Sequence, residues 1–189
     1  MRSPETSESG SSVTSAPRSA ARGSEPSPPA AATKPSATCI HGLLVKRLTV
    51  IADERGRLFE MLRRDDPLFT AFGQVYCTTV NFGVVKGWHF HKKQVDNFVC
   101  VSGMIKLVAY DSRDGSPTKG QVNELFLGVH SPLLVQIPAG VYHGFKGISQ
   151  PDAIVINIPN EPYHHHDPDE FRSDPHGKEI PYDWNRVDK

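Results

Sequence analysis

The chain has 189 residues, 21 basic and 21 acidic side chains, and 38% hydrophobic content. That is enough for one domain with a substantial core, while the even charge balance excludes the basic footprint of a protein that binds nucleic acid or an anionic membrane. No apolar run approaches the roughly 18–20 residues that span a bilayer, and the N-terminus lacks the apolar stretch of a secretory signal. The cysteines Cys39, Cys77 and Cys100 show no framework spacing. Two of them sit in apolar, strand-like runs where a small buried thiol is the usual occupant, which points to a reducing, cytoplasmic compartment.

Residues 1–38 are dominated by Ser, Pro, Ala, Thr and Gly, with Val13 the one large aliphatic side chain after Met1. Such a segment cannot bury enough surface to offset its chain entropy and reads as a disordered tail. From Ile40 onward, short runs rich in Val, Ile, Leu and Phe alternate with turn chemistry such as Asp53-Glu54-Arg55-Gly56, Asp114-Gly115-Ser116-Pro117 and Pro138-Ala139-Gly140. The spacing predicts strands over 43–51, 57–62, 74–82, 84–90, 97–101, 104–110, 121–127, 133–137 and 153–158. No long stretch has a period of 3.6, so helix is confined to a turn near 67–72. Residues 162–189, rich in His, Asp and Pro, are expected to wrap the domain as loops anchored by Tyr182 and Trp184. The rhythm as a whole predicts an all-β sandwich or barrel over residues 39–189.

Within the predicted strand 84–90 and just beyond it, His89 and His91 stand two residues apart. Positions i and i+2 of a strand share a face, so both imidazoles can enter one cavity. About fifty residues later, Pro138-Ala139-Gly140-Val141-Tyr142-His143-Gly144-Phe145 places His143 on a second strand-like run, after a turn. Convergent ionisable groups in a barrel mouth mark a site. The run His164-His165-His166-Asp167 looks similar, but short exposed histidine runs are usually adventitious. Trp88 and Phe145 suit burial against the barrel wall better than stacking on a ligand.

Four segments carry a family resemblance. Asp53-Glu54-Arg55-Gly56-x-x-Phe59-Glu60, Lys86-Gly87-Trp88-His89, Asp111-Ser112-Arg113-Asp114-Gly115-Ser116-Pro117-Thr118 and Pro138-x-Gly140-x-x-His143-Gly144-Phe145 resemble, in order and spacing, the signatures of the dTDP-4-dehydrorhamnose 3,5-epimerase family. The resemblance covers about residues 42–184. It implies a cupin-type jelly roll with an irregular C-terminal segment, a homodimer, a nucleotide-linked 4-keto-6-deoxy sugar as ligand, a place in polysaccharide precursor synthesis, and no cofactor.

Epimerisation next to a ketone needs a base at the carbon, an electrophile at the enolate oxygen and an acid on the opposite face. The resemblance implies His89 as base, oriented by Asp174 in Ser173-Asp174-Pro175, with Asp167 as the second choice, and it includes Tyr163 in the catalytic set. It further implies substrate contacts from Arg55, Glu60, Gln74, Lys86, His91, Asp96, His143 and Asn157, with an arginine suiting a diphosphate. Lys86 stands where the family has arginine. The family's enolate-stabilising lysine falls on Asp96 and its catalytic tyrosine on Asn157, which favours epimerisation at one centre over two.

Three alternatives share these residues. His89, His91, Asp96 and His143 are similar to the metal ligands of the wider cupin superfamily and could hold a divalent ion as Lewis acid. His89-Phe90-His91-Lys92 is similar to the His-Ala-His-Lys strand of sugar 3,4-ketoisomerases. A non-catalytic barrel that binds sugar nucleotides is the third.

Overall fold

A computed structural model describes residues 39–188; the tail expected over residues 1–38 lies outside the described residues. Twelve strands follow in chain order: β1 Leu44–Arg47, β2 Ile51–Asp53, β3 Gly56–Leu58, β4 Tyr76–Val80, β5 Val85–Phe90, β6 Asp96–Ser102, β7 Met104–Asp111, β8 Val122–Gly128, β9 Leu133–Ile137, β10 Val141–Gly147, β11 Ala153–Asn157 and β12 Phe171–Arg172. They form one antiparallel sheet in the order β1-β9-β6-β11-β4 and a second in the order β12-β5-β10-β7-β8, with β2 and β3 as a separate hairpin. Two packed antiparallel sheets of this kind make the expected all-β jelly roll.

Strand alternation sorts the side chains into three apolar clusters. Phe98 and Cys100 of β6, Ile105, Leu107 and Ala109 of β7, and Val135 and Ile137 of β9 fill the space between the sheets. Their neighbours on the opposite face, Val99 and Leu134, pack outside the first sheet against Leu48, Phe59, Met61, Leu62 and Leu68. The expected strand 57–62 is thus a short hairpin strand followed by a covering segment. Around residues 67–72 there is a turn closed by Phe69 N–H donating to Asp66 O at 2.9 Å.

The outer face of the second sheet is covered by the C-terminal segment, where Ile180 and Trp184 meet Trp88 and Val108. Trp88 and Trp184 lie 4.9 Å apart between ring centroids. Lys106 and Lys146 pin the strap by donating to Trp184 O at 3.3 and 3.0 Å. Tyr182 and Trp184 are therefore anchors, as expected, and Trp88 is a wall residue pointing away from the barrel interior. Asp111, at the end of β7, explains Ser116-Pro117-Thr118: its carboxylate accepts from Arg113 Nε at 2.8 Å, Ser116 Oγ at 2.6 Å and Thr118 Oγ1 at 2.7 Å. That motif ties a turn.

Candidate active site

With Trp88 turned outward, the next residue of β5 must turn inward, and His89 does so. His143 is its direct cross-strand partner on β10. The pairing is close because Gly87 and Gly144 face each other there: a Cβ built on either would lie 2.9 Å from the other's Cα. His91 follows the end of β5, its carbonyl accepting from Gly140 N–H at 2.6 Å. From the opposing sheet come Asp96 at the start of β6, Asn157 at the end of β11 and Tyr76 at the start of β4.

The three imidazoles cluster as the two-residue spacing predicts, with ring centroids 4.2 Å apart for His89 and His143, 5.9 Å for His89 and His91, and 5.8 Å for His91 and His143. Backbone carbonyls take up one nitrogen on two of them. His143 Nδ1 lies 3.0 Å from Val141 O, and His91 Nδ1 is hydrogen-bonded to Asp169 O. The Asp169 carboxylate in turn accepts from the amides of Lys92, Lys93 and Gln94 at 3.0, 2.8 and 3.1 Å, which holds the loop after β5. These carbonyls assign the proton of each ring to Nδ1 and leave Nε2 facing the interior.

Both Nε2 atoms face one carboxylate oxygen. Asp96 Oδ2 lies 3.3 Å from His91 Nε2 and 3.1 Å from His143 Nε2, without the alignment of a full hydrogen bond at His143. Asp96 Oδ1 accepts from Gln94 Nε2 and Asn157 Nδ2, each at 2.7 Å. Burial of Asp96 would push its carboxyl up, but His143, His91 and the Asn157 amide outweigh that and hold it well below the usual carboxylate range. Asp96, at the position implied for a lysine, is therefore an ionised group locked among partners.

His89 differs from the other two imidazoles. Among the described residues its ring makes no hydrogen bond, and burial, followed by the neighbouring His143, holds its pKa well below 6.5 despite the opposing effect of Asp96. It opens on a cavity of about 280 Å³ lined also by Gln74, Tyr76, His91, Gln94, Tyr163 and Glu170. A larger cleft of about 580 Å³ adjoins it across His91, Gln94 and Tyr163, and runs past Lys92, Lys93 and the loop from Glu161 to Asp169. The loop histidines His164, His165 and His166 line that cleft.

The structure brings together His89, His91, Asp96, His143, Asn157, Gln74 and Tyr163. It does not bring in Asp174, which is exposed and accepts from His176 N–H at 2.9 Å. Nor does it bring in Arg55, 85% exposed at the tip of the β2–β3 hairpin and paired with Asp53. Glu60 pairs with Arg63 at 2.9 Å, and Lys86 donates to Thr78 Oγ1 at 2.8 Å. Sequence reasoning passed over Tyr76, Gln94, Asp169 and Glu170. Gln94 carried a signal, since it lies in the loop between His91 and Asp96; Tyr76 becomes visible only once β4 is paired with β11.

Two antiparallel sheets with histidine and tyrosine side chains lining one small cavity define a jelly-roll barrel with a polar pocket. The family model for dTDP-4-dehydrorhamnose 3,5-epimerase matches residues 37–188, so the chain belongs to that family of sugar-nucleotide epimerases. It is 39% identical over 153 residues to a probable low-salt glycan biosynthesis epimerase, Agl13, of Haloferax volcanii, covering 77% of this chain and 95% of that protein. It is 34% identical to the spore coat polysaccharide biosynthesis protein SpsL of Bacillus subtilis, covering 77% and 97%. The crystal structure of a dTDP sugar isomerase from Desulfovibrio desulfuricans superimposes with a TM-score of 0.74 at 31% identity, over 79% of this chain and 94% of that one.

Proposed function

We propose that this protein epimerises a nucleotide-linked 4-keto-6-deoxy sugar at a carbon next to the ketone, with His89 as the base and no cofactor. The observation that carries this reading is the contrast among the imidazoles. His91 and His143 are engaged at Nδ1 and aimed at Asp96, whereas His89 is half-buried, held in its neutral form and open to the cavity. Removal of the proton leaves an enolate, which Gln74 on the cavity wall can meet with a neutral donor. The adjoining cleft suits the nucleotide, with Lys92 and Lys93 at its rim for the diphosphate. The unpaired cysteines Cys39, Cys77 and Cys100 fit a cytoplasmic protein.

The test is proton NMR of dTDP-4-keto-6-deoxyglucose in deuterated water, with protein as isolated and after chelation. Deuterium entering the ring with inversion in both runs is the expected result. A ketone moved to the neighbouring carbon would assign a 3,4-ketoisomerase instead, and no exchange at all would leave a sugar-nucleotide binder.

A second reading rests on the buried His143 Nε2, which has no aligned hydrogen-bond partner although it faces Asp96 Oδ2 at 3.1 Å. A lone-pair nitrogen and a carboxylate oxygen that close require a positive charge between them, either a second proton on the ring or a metal ion. His89, His91, His143 and Asp96 would hold such an ion, the three histidines offering nitrogens within 4.8 Å of one another. When bound it would supply a Lewis acid. Loss of exchange after chelation, together with stoichiometric metal in tag-free protein, would replace the first reading by this one.

We further propose a homodimer. The β2–β3 hairpin joins neither sheet, yet it exposes Ile51 at 62% and Leu58 at 59%. A lone two-stranded hairpin is marginal in water and calls for a partner surface. Light scattering on a sizing column is expected to give twice the chain mass, falling to the chain mass when Ile51 and Leu58 are both changed to lysine. A monomeric wild type would end this reading.

A further inference from the structure

Inversion of a carbon centre needs an acid on the face opposite the base, and neither sequence position implied for that role provides one convincingly. Asn157 has no acidic proton. Tyr163 stands on a loop rather than on a strand, and its ring packs on His165 at 5.0 Å. The cavity holds one further phenol, Tyr76.

Three observations single out Tyr76. It is the direct cross-strand partner of Asn157, β4 against β11, so the phenol missing at 157 is supplied at the paired position. Its hydroxyl is not left to rotate: it accepts from Asn157 Nδ2 at 2.9 Å, and that amide also donates to Asp96. This bond occupies an acceptor lone pair and leaves the phenolic proton free to be donated. Finally, Tyr76 stands on the first sheet and His89 on the second, and both line the same 280 Å³ cavity, so a ligand within it is reached by the two groups from different sheets.

We infer that Tyr76 is the catalytic acid that returns the proton on the face opposite His89. The imidazole takes the proton from the carbon, and the C–H electron pair moves into the enolate. The enolate then collapses as the carbon takes the Tyr76 hydroxyl proton on its other face. The phenolate recovers a proton from solvent and the imidazolium loses its own to solvent, so the net change is inversion alone. This assignment rests on the epimerase reading above.

The experiment compares wild type with Tyr76→Phe on dTDP-4-keto-6-deoxyglucose in deuterated water, following exchange and inversion separately by NMR. Removing one hydroxyl leaves the ring in place and Asn157 still bonded to Asp96, so fold and dTDP affinity should be retained. The expected result is exchange at a rate comparable to wild type with inversion reduced about 100-fold, because His89 can return solvent deuterium only to the face it came from. A variant that inverts as well as wild type overturns the assignment, leaving the acid to another group. A folded variant that loses exchange together with inversion also overturns it, because Tyr76 would then serve binding or proton removal. Wild type that exchanges nothing on this probe removes the epimerase reading itself, and the Tyr76 assignment with it.

Discussion

Substituting alanine for His89 is expected to reduce deuterium incorporation into the sugar ring by about 10³-fold while dTDP still binds. The size of the effect follows from the absence of a substitute. His91 and His143 share the chamber, but their Nδ1 atoms are held by Asp169 O and Val141 O, and their Nε2 atoms face Asp96. Moving either ring to the substrate would strand a buried carboxylate, at a cost of several kcal/mol. Exchange that persists in the variant would remove His89 from the mechanism.

The same residue sets the pH dependence. A base works in its neutral form, and His89, facing His143, Asp96, His91 and Arg172, titrates well below 6.5 because burial dominates. The acid limb of kcat/KM should therefore fall below the ordinary histidine range. On the other side, burial pushes the Tyr76 phenol up to about 12, against the Asn157 hydrogen bond that lowers it. An acid with so high a pKa stays protonated through the alkaline range. The rate profile is expected to be flat from neutrality upward until the protein itself fails, and a limb centred near 6.5 would contradict the burial argument. The depressed His89 pKa also makes it a weaker base, so the enolate must be met by well-placed donors rather than by proton affinity alone.

The site was legible in the sequence wherever it depended on local geometry. His89 and His91 share a face because strands repeat every two residues, and the Pro138 to Phe145 motif identified the partner strand. What depended on pairing between distant segments was not legible. Asp174 was expected beside His89, yet β12 runs antiparallel to β5 with Arg172 opposite His89, and Ser173 exchanges backbone hydrogen bonds with Trp88 at 3.0 and 2.9 Å. That register carries Asp174 beyond His89 into an exposed turn. Tyr76 and Asn157 lie 81 residues apart, and only the β4–β11 ladder makes them one unit. The fold shows the same division. The apolar run 43–51 reads as one strand, but β1 ends at Arg47, Leu48 turns into the cluster outside the first sheet, and Ile51 opens a hairpin with no sheet behind it. Alternation records that a residue is covered without recording what covers it.

Gly144→Ala is expected to cost about 2 kcal/mol of stability and to lower kcat about 100-fold. A Cβ at this position would lie 2.9 Å from Gly87 Cα, 2.9 Å from Lys86 O and 3.3 Å from Trp184 Cζ2. The first two are backbone atoms of β5, so no side-chain rotation relieves the clash and the strands must separate. They separate at the irregularity between His143 and Phe145, beside the point where His143 and His89 pair. The imidazole cluster would open, and His89 would shift relative to Tyr76 on the far wall. Gly115→Ala provides the contrast. Gly115 has φ of +77° and nothing within 4 Å of an added Cβ, so alanine there pays only backbone strain of about 1 kcal/mol, far from the cavity. Thermal melting and kcat measured on both variants should separate the effects: Gly115→Ala lowers the melting temperature and keeps kcat, whereas Gly144→Ala lowers both. Wild-type kcat in Gly144→Ala would mean that the close approach of β5 and β10 serves packing alone, and that the two motif glycines have no part in placing the base.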